Sequence, residues 1–357
     1  MLHRTRPQGP ITMPLGAPPP NTEPDLERRL AEPTTGVLDT LRRARGDIMV
    51  LGAGGKMGPT LARMLRRGVD AVDRPDRVIA VSRFGAPEVE HALRAASVET
   101  VRCDLADRRA VAELPDAPNV IFMAGQKFGT AGAPAATWAA NTLVPAIVAE
   151  RFAGARIVAF STGNVYPLSP VAGGGSREDD APGPVGEYAA SCLGRERILE
   201  HFSMRDGTPV AIVRLNYAVE LRYGVLVDIA RRVHDGAPVD VRMGYVNVIW
   251  QGDACARAIQ CLEHAASPPF VVNITGPETL AVRSVAQRFG ELLGHAPVIT
   301  GEEGADALLS NASRSVELFG APTVTIGQLM VWIADWIARG GRVLDRPTHF
   351  EERSGRF

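Results

Sequence analysis

From Asp47 onward, short apolar runs alternate with longer stretches whose apolar positions recur at helical spacing. The run Ile48-Met49-Val50-Leu51 has no polar position, which suits a strand buried on both faces. Similar runs at Val78–Val81, Val98–Arg102, Asn119–Met123, Arg156–Ser161 and Pro209–Arg214 predict five more strands. Helical patterns lie between them, the longest at Glu187–Arg205. This alternation predicts an α/β protein with a doubly wound parallel sheet and helices on both faces. After Arg214 the pattern loosens. Helices are expected near Gly224–His234, Asp253–Ala265, Ala281–Leu293 and Thr325–Ala338, with short strands at Val239–Val241 and Phe270–Asn273. These pieces predict a smaller C-terminal substrate lobe together with elements that complete the sheet.

Before the first strand, residues 1–24 are rich in proline, including Pro18-Pro19-Pro20, a composition expected to be disordered. Asp25–Leu30 and Thr35–Arg45 read as helices that dock through Leu26, Leu30, Val37, Leu38 and Leu41. The expected division is an N-terminal extension over 1–45, a nucleotide-binding unit over 46–215, the lobe over 216–340 and a charged tail over 341–357. That tail is either frayed or crosses to a second subunit.

A chain of 357 residues is long for one core, in keeping with this division. The formal net charge of −1 argues against an electrostatic grip on nucleic acid or an anionic membrane. No apolar run approaches the ~20 residues of a membrane span. The basic N-terminus is a poor signal peptide, because Pro10, Pro14 and Pro18 interrupt its apolar stretch. A cytoplasmic protein is expected. Cys103, Cys192, Cys255 and Cys261 form no CxxC pair and no metal-ligand spacing, so they read as reduced thiols and no metal site is expected. Lys56 and Lys127 are the only lysines, so lysine chemistry has two sources.

Both lysines fall in segments that carry chemistry. Gly52-Ala53-Gly54-Gly55-Lys56-Met57-Gly58 follows a strand and opens a helix, the context of a Rossmann-type dinucleotide turn. Gly52 permits the tight turn, Gly55 lets the backbone approach a pyrophosphate, and Gly58 lets the helix pack on the strand. The helix N-terminus, with Lys56 and Met57 leading into it, faces the phosphates. The second strand ends Val81-Ser82-Arg83, where an NAD protein places an acid for the ribose hydroxyls. A hydroxyl and a guanidinium suit a 2′-phosphate, so NADP is favoured over NAD. Asp104-Leu105, ending the third strand, are placed to hold the adenine edge.

Taken together these segments resemble the extended short-chain dehydrogenases, the NAD-dependent epimerase/dehydratase family, over roughly residues 47–340. Gly52, Gly55 and Gly58 match the family's GxxGxxG turn, and Asp104-Leu105 its adenine contact. Phe122-Met123-Ala124-Gly125-Gln126-Lys127 is similar to the fourth-strand segment of the family's epimerases, whose lysine lies near the cofactor. Asn141 matches an asparagine of the next helix. Ser161-Thr162-Gly163-Asn164-Val165-Tyr166 resembles the STDEVYG segment of the family's dehydratases, with Thr162 on the catalytic hydroxyl. Tyr188 falls on the catalytic tyrosine of YxxSK, but Cys192 stands where the lysine belongs. Asn273-Ile274-Thr275-Gly276-Pro277-Glu278 resembles the lobe segment NxGxxE.

The resemblance implies hydride transfer between a nicotinamide and a carbinol carbon of a hydroxylated, sugar-like substrate. Tyr188 would be the general acid/base and Thr162 a hydrogen-bond donor to the same oxygen. Asn164 stands where the dehydratases carry an acid, which disfavours elimination of water. Asn216 would touch substrate, although Asn216-Tyr217-Ala218-Val219-Glu220 departs from the family's N-x-Y-G-P. Arg222 is placed to meet a carboxylate or phosphate. The loss of the lysine leaves Tyr188 protonated and a weak base. Lys127, or Arg195 one turn beyond Cys192, would then supply the missing charge. A reactive Cys192 thiolate, or a cofactor-binding sensor or assembly protein without turnover, are the alternatives. The family also implies a homodimer, paired through helices near Asn141–Phe152 and Glu187–Arg205.

Overall fold

The computed structural model describes residues 17–127 and 132–355. Its centre is a seven-stranded parallel sheet: β1 (Ile48–Leu51), β2 (Val78–Ser82), β3 (Glu99–Arg102), β4 (Asn119–Phe122), β5 (Arg156–Thr162), β6 (Val210–Leu215) and β7 (Phe270–Ile274). The spatial order β7-β6-β5-β4-β1-β2-β3 reverses direction between β1 and β4. β1 pairs with β2 on one side and β4 on the other, Leu51 standing between Val81 and Phe122. Every residue of β1 and β4 is buried, which is why β1 reads as an unbroken apolar run and β4 as one after Asn119.

The first half carries α1 (Glu23–Leu30), α2 (Thr35–Arg43), α3 (Gly58–Ala71), α4 (Pro87–Ala95), α5 (Arg108–Ala112), α6 (Pro134–Trp138) and α7 (Val144–Arg151). After β5 come α8 (Gly186–Asp206), α9 (Val225–His234), α10 (Gln251–Gln260), α11 (Val282–Leu293), α12 (Ser313–Phe319) and α13 (Ile326–Ala338). Separate buried clusters fill the two faces of the sheet, and a third, of α9, α11 and α13 with Trp250 and Phe350, fills the lobe. β7 joins the sheet through β6, so it completes the nucleotide-binding half although it lies far along the chain.

The N-terminal extension staples the two halves. Leu26 and Leu30 of α1 lie in the lobe cluster, whereas Val37 and Leu41 of α2 lie in the sheet cluster. The expectation of disorder to residue 24 fails for 17–24, whereas 1–16 lie outside the described residues. Trp332 Nε1 donates to Ala17 O at 3.0 Å, and Arg339 donates to Pro20 O at 2.9 Å and Asn21 O at 3.1 Å. Proline lacks an N–H but keeps a carbonyl acceptor, and here those carbonyls are used. The tail is docked on its own chain. Phe350 is fully buried in the lobe, and Thr348 donates to Asp228 Oδ2 from its N–H at 2.8 Å and its hydroxyl at 2.6 Å.

Candidate active site

A crevice of about 260 Å³ opens at the C-terminal ends of β1, β4 and β5, the reversal point where open α/β sheets take ligands. Its floor is the glycine turn. Gly52 has φ +88°, and a Cβ there would stand 2.6 Å from Ala124 N, so the turn presses on the end of β4. A Cβ at Gly58 would stand 2.6 Å from Ala53 Cα. Gly55 is exposed. Met57 precedes α3 without a side-chain cap, leaving the first backbone donors of a 14-residue helix for an anion. Lys56 Nζ sits 3.7 Å from the centroid of the Tyr223 ring, so the turn touches the lobe across the crevice. Desolvation lowers this ammonium to about 8, with Glu220 pulling it upward and Arg222 pushing it down.

The opposite wall carries the acid/base candidates. Thr162 ends β5 and Tyr188 is the third residue of α8, and the two hydroxyls are hydrogen-bonding partners. Thr162 Oγ1 also donates to Asn164 Oδ1 at 2.9 Å and accepts from Asn164 N at 3.2 Å. Burial pushes the Tyr188 phenol well above its ordinary value; Cys192 adds to this and Arg195 opposes it. Tyr188 is therefore a proton donor at neutral pH, as expected from the lost lysine, and burial is the larger reason. Lys127 lines the same crevice, and desolvation lowers it to about 8, with Cys192 and Asp228 pulling it back up.

Cys192 and Arg195 lie behind this surface. Cys192 is buried with Val165 and Tyr166, and burial pushes its thiol upward, which works against a thiolate. Its catalytic assignment reduces to contact with the Tyr188 phenol. Arg195 is also buried. It donates to Phe160 O at 2.6 Å and Asn141 Oδ1 at 2.6 Å, and lies 5.5 Å from the Phe122 ring centroid. It has no carboxylate partner among the described residues, so its charge acts through the protein on Tyr188.

Asn141 was expected at the cofactor, but its side chain is wholly occupied inside the protein. Besides Arg195, it accepts from Gln126 N at 3.0 Å and donates to Gln126 O at 3.1 Å and Ser191 Oγ at 2.9 Å. It stands on a π-helical turn, Ala139–Leu143, and pins the segment after β4, Ala124, Gly125 and Lys127 included, to α8. It is a positioning residue. Arg222 also departs from expectation. It is outside the crevice, paired with Glu27 at 2.6 Å, Glu220 at 3.1 Å and Glu23 at 3.2 Å. A guanidinium so engaged with three carboxylates has no charge to offer a substrate.

Asn164 and Asn216 do line the crevice, and Asn216 Nδ2 donates to Asn247 Oδ1 at 2.8 Å. Beyond the glycine turn, Ser82 is half-buried beneath Gly54 and Arg83 is exposed without an ion-pair partner among the described residues. Asp104 Oδ1 accepts from Ala106 N at 3.0 Å, and Leu105 beside it is buried. Met123, Phe160, Leu215, Tyr217, Tyr223 and Thr348 also line the crevice, which sequence reasoning did not single out. Tyr217 at φ +45° and Tyr223 flank the altered segment after β6, the one signal that pointed there. Among the described residues no group of three His, Cys, Asp or Glu side chains could hold a metal ion, and no helix is long and apolar enough to cross a membrane.

This is a doubly wound α/β protein whose glycine turn and tyrosine–threonine pair share one crevice. The chain belongs to the NAD dependent epimerase/dehydratase family, whose model matches residues 48–245. No curated protein sequence matches it significantly. Among solved structures it is similar to MoeE5 in complex with UDP-glucose and NAD, at 21% identity and TM-score 0.66, covering 83% of this chain and 99% of that one. The dTDP-glucose 4,6-dehydratase DesIV from Streptomyces venezuelae, with NAD bound, matches at 18% identity and TM-score 0.69 over 82% and 97%. The Thermus thermophilus UDP-glucose 4-epimerase complex with NAD matches at 21% identity and TM-score 0.65 over 81% and 98%.

Proposed function

We propose that the protein is an NAD(P)-dependent epimerase or oxidoreductase acting on a hydroxylated, sugar-like small molecule. The observation that carries this is the convergence of Thr162, Tyr188 and Lys127 on one crevice whose floor is the glycine turn. The residues fit a dinucleotide: an uncapped helix N-terminus, an exposed Gly55 and a lysine meet where its pyrophosphate would lie. When bound, the nicotinamide supplies a site that takes or returns hydride. Tyr188 moves the proton on the substrate oxygen, and Thr162 turns its hydroxyl from Asn164 toward that oxygen as charge develops. Lys127 supplies the ammonium that the Cys192 position lacks, and Arg195 holds a fixed positive field beneath it. Asn164 has no acid to eliminate water, which favours epimerisation or net oxidoreduction over dehydration. A homodimer paired through α7 and α8 is part of this reading, supported by exposed Leu143, directly before α7, and exposed Met204 on α8.

The test mixes the full chain with NAD or NADP and a panel of sugars, sugar acids and polyols while following nicotinamide absorbance. A change with one class supports the reading. No change with any, and no epimer formed on product analysis, despite cofactor binding, would favour a sensor without turnover.

Two further results are expected. Affinity for the dinucleotide falls as pH rises through about 8, because free Lys56 loses its proton there and the bound form keeps it. Lys56→Gln should flatten that profile in a titration series. Arg83→Ala should weaken NADP about tenfold and leave NAD nearly unchanged, if the exposed guanidinium meets the 2′-phosphate. Equal losses for both cofactors would place Arg83 elsewhere.

A further inference from the structure

Resting on the dinucleotide site of this reading, we infer that Glu27 of α1 is a positioning residue for that site: it grips Arg63 and Arg222 and so fixes the contact of Lys56 with Tyr223 across the crevice. α1 precedes the segment that the family model matches, so this device lies in the extension.

Lys56 and Tyr223 meet from two sides of the crevice, and both line it. Lys56 belongs to the glycine turn, which leads into α3. Tyr223 closes a tight turn after β6, in which Glu220 N donates to Tyr223 O at 3.0 Å and Tyr223 N donates to Glu220 O at 3.3 Å. The ammonium lies 3.7 Å from the centroid of the ring.

Behind this contact the same two segments are joined a second time. Arg63, on α3, pairs with Glu27 Oε2 at 2.6 Å. Arg222, directly before Tyr223, pairs with Glu27 Oε1 at 2.6 Å. One carboxylate thus gives one oxygen to each side. Arg222 is also held by Glu23 at 3.2 Å, by Glu220, and by Leu344 N, which donates to its carbonyl at 2.8 Å. Its place therefore sets the place of Tyr223. The arginine that looked like a substrate ligand in the sequence is a strut. Side-chain exposure is 11% for Arg222, 21% for Arg63 and 27% for Glu27, so water screens this bridge less than it screens an exposed pair. Glu27 is itself anchored, because Leu26 and Leu30 of the same helix are fully buried in the lobe.

The benefit is order before binding. An ammonium already seated on a fixed ring loses little freedom when a pyrophosphate arrives, whereas a loose one must be ordered at that moment. Breaking the bridge should weaken dinucleotide binding although Glu27 lies outside the crevice.

The test is calorimetric titration of the full chain with NAD, beside a thermal unfolding curve. Glu27→Gln keeps the size and removes the charge, and its dissociation constant for NAD should rise about three- to tenfold. Arg63→Gln breaks the bridge from the other end and should act alike, which keeps the test open if Glu27→Gln fails to fold. Glu32→Gln is the comparison. Glu32 also ties the extension to α3, through Arg67, and its loss should leave NAD affinity unchanged even where the unfolding midpoint falls. A double-mutant cycle reads the route: in a Lys56→Gln background, Glu27→Gln should have no further effect on NAD affinity. Wild-type affinity in both bridge variants, an equal loss in Glu32→Gln, or full additivity with Lys56→Gln overturns the inference and leaves the proposed function standing. An unaltered chain that binds no NAD overturns both.

Discussion

Tyr188→Phe is expected to lower turnover about a hundred- to ten-thousandfold on whichever substrate the panel identifies, with dinucleotide affinity nearly unchanged. The phenol is the one acid in the crevice that is both protonated at neutral pH and hydrogen-bonded to Thr162. Phenylalanine keeps the ring and its packing against Cys192 but has no proton to give. Lowered turnover with unchanged dinucleotide affinity would mark loss of proton transfer rather than collapse of the site. Cys192→Ala is the control and should stay close to wild type, because a buried, protonated thiol contributes packing and a weak acceptor only. A Tyr188→Phe protein as active as wild type would sink the mechanism. A Cys192→Ala protein that lost activity while keeping its fold would restore a chemical role to the thiol.

The second large effect is on stability. Glu196→Ala should cost about 3–5 kcal/mol, because it leaves the Arg214 charge unpaired in the interior. Arg214 Nη2 and Glu196 are 2.8 Å apart with both side chains almost fully buried. The pair anchors a wider network: Ser161 Oγ donates to Glu196 at 2.5 Å, Arg214 donates to the Tyr166 hydroxyl at 2.7 Å, and Tyr166 donates to Asn273 Oδ1 at 2.9 Å. β5, β6, β7 and α8 are thereby locked together directly below Thr162 and Tyr188. A thermal unfolding curve should drop by on the order of 10 °C. Replacing both partners by Leu and Met should recover much of the loss, since no lone charge then remains buried. A midpoint within a degree or two of wild type for Glu196→Ala would show that water or neighbouring dipoles already carry the Arg214 charge.

Much of the architecture was legible because it depends on local pattern. All seven sheet strands were placed within a residue, most of them because a strand covered by helices on both faces is rich in apolar positions. β7 was found as a strand but not as the neighbour of β6, because pairing across the long insertion between them leaves no local trace. The turn from Gly52 to Gly58 was readable for the same local reason: backbone approach and a tight turn demand glycine at set positions.

The site was legible in its parts and less so in its assignments. Thr162, Tyr188, Lys127, Asn164 and Asn216 do meet at one crevice. Asn141 and Arg222 were given ligand roles that the packing uses otherwise. An amide or a guanidinium carries the same letters whether it faces a cavity or satisfies a buried carbonyl or carboxylate. Which it does depends on partners such as Ser191, Gln126, Glu27 and Glu220, several of them distant in sequence.

The sequence by itself determined the sheet order's raw material, the glycine turn at the crevice floor, and the loss of lysine beside Tyr188, because each is a matter of residue type at short range. Tertiary structure alone decided three things: that Lys127 faces the crevice while Arg195 lies beneath it, that Cys192 is buried, and that the tail passes Thr348 in the crevice and returns to Gly186. These depend on burial and on contacts between segments far apart in the sequence. There desolvation and close packing, which have no one-residue signature, set charge, reactivity and room.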